Sequence, residues 1–255
     1  MTTSSVVRSG VIDVGGHSLN VLVEGSGPPL LLLNGFARPM SSWDAFAAAM
    51  SSRTVIRLDL PGAGGSPWPV LPQTVPSLTR LAALALVELG VDACDVVGFS
   101  QGGLIAQQLA YDEPGSVRRL VLASTTCGVG ATMSLKPWID WSRTPDAVTN
   151  WLTLAGLWCH VDAPSWTSIG FLGAIAHQTL VVCGDDDHVT PPRNSRVLAD
   201  RIPRATLALV PGGHDLQDSA AVQGFIDAVK DFLIEEEASS VHDVINQTEK
   251  DGTEK

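Results

Sequence analysis

Short, nearly uninterrupted apolar runs recur along the chain at residues 30–33, 55–60, 95–99, 120–123, 180–183 and 206–210, each ending in glycine, proline or polar residues. A strand that is apolar on both faces belongs inside a parallel sheet covered by helices on either side, because a sheet with one wet face would alternate apolar and polar positions. The segments between the runs supply the cover: residues 41–50, 77–89, 101–111, 192–202 and 220–233 repeat apolar side chains at helical spacing. Strand and helix therefore alternate. The pattern predicts an α/β fold built on a mostly parallel, doubly covered sheet with right-handed crossovers. Ahead of the first run, residues 11–14 and 19–23 flank Gly15-Gly16-His17 and predict a β-hairpin that opens the fold.

A chain of 255 residues has room for one large domain of this kind, and 45% hydrophobic against 17% charged residues excludes a largely disordered protein. One stretch breaks the rhythm. Residues 128–178 show no clear parallel strand and hold Trp138, Trp141, Trp151, Trp158 and Trp166. They are expected to form a short helical cap inserted into a core made of residues 1–127 and 179–237; an ordinary pair of packed helices with core tryptophans is the competing reading. Residues 238–255 are polar, acidic and unpatterned, and are expected to be a disordered tail.

About half of the formal charge of −11 falls within residues 235–255, so the folded body is only mildly acidic. Phosphate-backbone binding needs a basic stripe, which is missing, so nucleic acid is not an expected partner. No apolar run is long enough to cross a bilayer and residues 1–10 lack a signal-peptide pattern, so no membrane insertion and a cytoplasmic location are expected. Cys94, Cys127, Cys159 and Cys183 lack metal-ligand spacing and are expected to be reduced, mostly buried thiols. No two His or carboxylate residues show ligand spacing on one element, and neither a metal nor a cofactor is expected.

The chemistry centres on Gly98-Phe99-Ser100-Gln101-Gly102, which follows one apolar run directly and opens a helical pattern at Gln101. That placement is what a nucleophile elbow requires. The serine sits on a tight strand-to-helix turn, clear of the sheet, and the flanking glycines let the two backbones approach. Without the strand before and the helix after, the same residues would be a glycine-rich loop with an incidental serine. A serine hydroxyl is nearly unreactive near neutrality, so the elbow demands a base and an orienting carboxylate further on, in the order Ser, Asp, His. Gly184-Asp185-Asp186-Asp187 follows the run at 180–183, and His214 follows the run at 206–210 through Pro211-Gly212-Gly213. Each leaves the carboxyl end of a predicted strand, the edge at which open α/β sheets bind ligands. Asp187, the last acid of its turn, can point back across the sheet, whereas Asp185 and Asp186 suit turn chemistry or helix capping. Of the 6 histidines, His214 directly follows the last strand, and His242, further on, lies in the tail. Ser100, Asp187 and His214 are thus the candidate nucleophile, orienting acid and base. The oxyanion donors expected for them are the backbone N–H groups of Gln101 and of Phe36, in the Asn34-Gly35-Phe36 loop. The glycine-rich stretch at 59–66 lacks a P-loop lysine and reads as a structural turn.

Taken together, the Asn34-Gly35 turn, the 59–66 turn, the Ser100 elbow, the Asp187 turn and His214 resemble the α/β-hydrolase superfamily across nearly the whole ordered chain. Within it, the chain resembles the bacterial intracellular depolymerases of medium-chain-length poly(3-hydroxyalkanoate). The resemblance is carried by Leu31-Leu32-Leu33-Asn34-Gly35, by the 59–66 turn with its double glycine, and by Trp166-Thr167-Ser168-Ile169 leading into residues 179–187. Two departures stand out: Gln101 follows the serine where the family carries tryptophan, and the insertion is shorter than the family's cap. The resemblance implies a serine ester hydrolase with Ser100, Asp187 and His214 in the roles given above. Its partner would be an apolar ester or polyester, including the surface of storage granules, and Trp138 and Trp141 would contact the substrate's acyl chain. A carboxylesterase or cofactor-free perhydrolase acting on small apolar esters would use the same residues. A non-catalytic binding protein on this fold would commonly have lost one of the three.

Overall fold

The computed structural model describes residues 6–128, 165–217 and 222–234. Its strands are β1 (Val6–Val14), β2 (His17–Gly25), β3 (Pro29–Leu33), β4 (Thr54–Leu58), β5 (Cys94–Phe99), β6 (Val117–Ala123), β7 (Gln178–Gly184) and β8 (Ala205–Val210). They form one 8-stranded sheet in the order β1-β2-β4-β3-β5-β6-β7-β8. The hairpin pairs antiparallel with itself and with β4, and every other pairing is parallel. Gly15 and Gly16 turn the hairpin with φ of 57° and 78°, the doubly left-handed turn whose twist matches that of its strands.

Helices cover both faces, as the runs require. They are α1 (Asp44–Ala49), α2 (Val75–Glu88), α3 (Gln101–Asp112), α4 (Pro192–Arg201) and α5 (residues 222–234). Alternate side chains of one strand enter different cores. Leu31 and Leu33 pack with Leu78, Leu81, Ile105 and Leu198 from α2, α3 and α4. Leu30 and Leu32 pack on the other side with Trp43, Phe46, Phe225 and Val229, from the chain around α1 and from α5. Each fully buried leucine contributes on the order of 2 kcal/mol of transfer free energy.

Several boundaries differ from the sequence expectation, β1 beginning as early as Val6, and three of them have a local reason. The run at 55–60 overshoots β4, because Asp59 turns out of the sheet and its carboxylate accepts bonds from Asn20 Nδ2 (2.8 Å), the Met40 N–H (2.6 Å) and the Gly65 N–H (2.8 Å). These bonds make 59–66 a structural turn knitted to β2. Helix α2 starts before residue 77, since Thr74 and Ser77 form a capping box with proline in the first turn. The segment 41–50 opens as a 3-10 turn, Met40–Trp43, before α1.

Most of the expected cap lies outside the described residues, including Trp138, Trp141, Trp151 and Trp158, and so does the tail 238–255. The described end of the insertion is pinned to α3. Trp166 Nε1 donates to Gln108 Oε1 (3.0 Å), Ser168 Oγ to Gln107 Oε1 (2.6 Å), and Thr167 bridges to Gly128. Among the described residues, no helix is long and apolar enough to cross a membrane.

Candidate active site

The turn from β5 into α3 puts Ser100 at φ 52° and ψ −113°, a conformation that costs a residue with a side chain of order 1–3 kcal/mol. Its surroundings enforce it. The Ser100 N–H donates to the Ala123 carbonyl (2.9 Å), and its own carbonyl accepts from the Gly103 N–H (3.0 Å) and from Thr125 Oγ1 (2.6 Å). The glycines on either side are required by closeness: a Cβ on Gly98 would meet the Gly102 carbonyl oxygen at 2.4 Å, and one on Gly102 would meet that of Leu33 at 2.2 Å. The strand, the helix and the end of β3 thus converge behind the serine.

His214 and Asp187 leave β8 and β7 at the same edge of the sheet. His214 Nε2 stands 3.1 Å from Ser100 Oγ, and its Nδ1 stands 2.9 Å from Asp187 Oδ2. Asp187 is 1% exposed, and each of its oxygens is held. Oδ1 accepts from the N–H groups of Val189 and Thr190 at 2.8 Å, and Oδ2 accepts from Thr190 Oγ1, also at 2.8 Å. Burial acts to raise the carboxyl's pKa, but the hydrogen bond and charge of His214 and the Thr190 bonds outweigh it and hold the group below its ordinary value. The neighbouring acids do other work. Asp185 Oδ1 accepts from the Gly212 N–H at 3.0 Å, and Asp186 points to solvent beside His188. Among the three aspartates, Asp187 is the one the structure brings to His214.

A cleft opens at Gln101, the residue after the serine, lined also by Phe36, Arg38, Pro61 and Trp68 among others. Gly35 packs so closely on the elbow that an added Cβ would touch the Phe99 ring at 3.0 Å and Ser100 Cβ at 3.4 Å. The loop bearing Phe36 and the first turn of α3, whose first residue Gln101 follows Ser100, therefore line one cleft. Among the described residues, no group of three or more His, Cys, Asp or Glu is arranged to hold a metal ion.

A family model described as the alpha/beta hydrolase fold matches residues 28–155 and 156–221. The chain belongs to the α/β-hydrolase family. It is 31% identical over 247 residues to the poly(3-hydroxyalkanoate) depolymerase of Ectopseudomonas oleovorans, covering 80% of this chain and 84% of that one. It is 28% identical over 269 residues to the 2-hydroxymuconate semialdehyde hydrolase of Pseudomonas sp. CF600, covering 89% and 94%. Among solved structures, a hydrolase from Pseudomonas aeruginosa PA01 superposes with a TM-score of 0.73 at 26% identity, covering 91% of this chain and 98% of that one.

The hydrolase has site residues that sequence reasoning did not find. Thr190 Oγ1 touches both Asp187 Oδ2 and, at 3.2 Å, His214 Nδ1. Arg38, Asp215 and Gln217 form a hydrogen-bonded chain that begins at the residue after His214. All four sit in irregular segments, where periodicity carries no signal; the proximity of Thr190 to Asp187 in sequence was the one available hint. Cys183 Sγ lies 3.9 Å from Asp187 Oδ2, yet burial pushes its thiol up to about 11, so it stays protonated and is no nucleophile. Cys94, Cys127 and Cys183 are buried free thiols, none of them in a disulfide.

Proposed function

We propose that this hydrolase cleaves ester bonds through an acyl-enzyme on Ser100, and that its substrate is poly(3-hydroxyalkanoate) or oligomers of it. The observation that carries the reading is the 3.1 Å contact between His214 Nε2 and Ser100 Oγ, with Asp187 on the far nitrogen. In the resting state His214 carries its proton on Nδ1, donated to Asp187, which leaves Nε2 free to take the serine proton. Ser100 Oγ attacks the ester carbonyl as that proton moves to His214. The carbonyl oxygen becomes an oxyanion that the Phe36 and Gln101 N–H groups would receive. The imidazolium, stabilised by Asp187, returns the proton to the departing alkoxide, leaving an acyl-serine and a free alcohol. Water, activated by the same imidazole, then releases the acid.

The polyester assignment is supported by the 31% identity to a depolymerase along four-fifths of the chain. Apolar side chains at the cleft, among them Pro61 and half-exposed Trp68, suit an aliphatic acyl chain. Two assays test it together: turbidity clearing of amorphous medium-chain polyester latex, and hydrolysis of p-nitrophenyl esters of increasing acyl length. The expected result is latex clearing with a preference for longer esters. Hydrolysis of short esters without clearing would reassign the enzyme to small substrates. Ser100→Ala should fold normally, lose ester hydrolysis and escape labelling by a fluorophosphonate that marks the wild type; equal labelling of the two would remove the serine from the mechanism.

A further inference from the structure

The loops that leave β3 and β8 are joined by side chains that cross from one to the other. Asn34 Oδ1 accepts from the Gly35 N–H at 3.0 Å and from Gln217 Nε2 at 3.1 Å, while its Nδ2 donates to the Pro39 carbonyl (2.6 Å) and to Ser42 Oγ (2.8 Å). Gln217 uses its other end on the same loop, where Oε1 accepts from Arg38 Nη1 at 2.8 Å. The Arg38 guanidinium also grips both oxygens of Asp215, the residue after the base, and lies 5.5 Å over the Phe99 ring. Asn34 and Gln217 are buried, at 4% and 1% exposure, whereas Arg38 and Asp215 sit nearer the rim.

We propose that Gln217 is a positioning residue. Its primary amide ties the loop carrying Phe36 to the segment carrying His214, and so keeps the oxyanion donor and the base in register. The proposal rests on the serine-hydrolase reading above. The polarity of the amide matters, because the N–H end must meet Asn34 Oδ1 and the carbonyl end must meet Arg38; no other arrangement satisfies both partners. Asn34 in turn holds the Gly35 N–H, which fixes the direction of the peptide that precedes Phe36 N. A misplacement of about 1 Å in such a group can cost on the order of a hundredfold in rate.

Gln217→Glu tests this with almost no change in shape. The variant keeps an acceptor for Arg38 but sets a carboxylate oxygen against Asn34 Oδ1, so either that contact breaks or Asn34 turns over and releases Gly35. The readouts are kcat and KM for a p-nitrophenyl ester, and inhibition by a trifluoromethyl ketone, which adds to the serine and places an oxyanion where the tetrahedral intermediate has one. The expected result is a kcat about tenfold or more below wild type, a KM within about threefold, and ketone affinity weakened in step with kcat. A packing role alone would lower Tm and leave the folded fraction with wild-type kcat and ketone affinity; that outcome overturns the proposal. Gln217→Met, which keeps the length of the side chain but makes neither bond, keeps the test decisive should Gln217→Glu not fold. It is expected to lower kcat and ketone affinity together by about tenfold, and no change in either overturns the proposal. Fluorophosphonate labelling separates the two levels. An unlabelled wild type removes the serine-hydrolase reading and this proposal with it, whereas a labelled wild type matched in rate by Gln217→Glu removes this proposal alone.

Discussion

Asp187 illustrates how one buried carboxylate is kept ionised. Taking it out of water opposes the charge, but four donated hydrogen bonds, two of them from backbone N–H groups, outweigh that cost. Replacing it by asparagine puts an amide where His214 Nδ1 needs a carboxylate, and kcat is expected to fall by about 10⁴, as in serine proteases. Asp185→Asn and Asp186→Asn should cost far less, since neither acid reaches His214; steady-state kinetics on the three variants separates them. The lowered pKa has a stability consequence of definite sign. The folded state binds this proton more weakly than the unfolded chain, so the contribution of Asp187 is complete above the ordinary aspartate value of 3.8 and is lost as pH falls through the lower folded value. The Tm difference between wild type and Asp187→Asn should therefore shrink as pH is taken from ~5 to ~3.

At the scale of elements, the elbow works because two backbones and a helix occupy space that a single methyl group would fill. Gly102→Ala should destabilise the protein by about 1–3 kcal/mol and lower kcat as well, because the clash at 2.2 Å is with the carbonyl of Leu33, just before the Asn34 loop. Gly115→Ala, whose Cβ would meet nothing within 4 Å, is the matched control; urea midpoints and kcat read both. The insertion is the other element with a functional prediction. Trp138 and Trp141 are proposed to line the acyl site, where lost contact grows by roughly 0.8 kcal/mol per methylene. Alanine at either position should lower kcat/KM for octanoyl esters by roughly tenfold while butyrate esters change little. Equal losses on both esters would make the tryptophans structural.

Across the whole molecule, the proposed catalytic residues and the anchorage of the last helix occupy opposite edges of the sheet. At the amino end of β5, Asp95 is 1% exposed and pairs with Arg53 (2.9 Å) and Arg119 (2.7 Å). Both guanidiniums also donate to the carbonyl of Leu233 near the end of α5. The cluster thereby fastens the last helix to β4 and β6 from beneath. Asp95→Ala would leave two buried cations without their shared anion, and a loss of about 3–5 kcal/mol in stability is expected, with kcat of the folded fraction unchanged. Urea unfolding beside active-site titration checks this.

The doubly apolar runs pointed to a mostly parallel sheet covered on both faces, because a strand that buries Leu30 on one face and Leu31 on the other needs helices on each side. Glycine spacing around Ser100 and the positions of the last two strands likewise pointed to the serine, an acid in the Asp185–Asp187 turn, and His214, since strand ends of a parallel sheet share one edge. What depends on the path of an irregular loop stayed hidden. Asn34 was visible as part of a loop, but its bond to Gln217 spans |i−j| of 183 and joins two segments without periodicity. Arg38, in a loop, and Asp95, at the head of the run 95–99, had no partners that sequence named; one is clamped to Asp215, next to His214, and the other is fully buried among arginines. Their places follow from where neighbouring strands bring unrelated loops together, and periodicity along the chain carries no record of that meeting. Tertiary structure alone decided which polar side chains found partners.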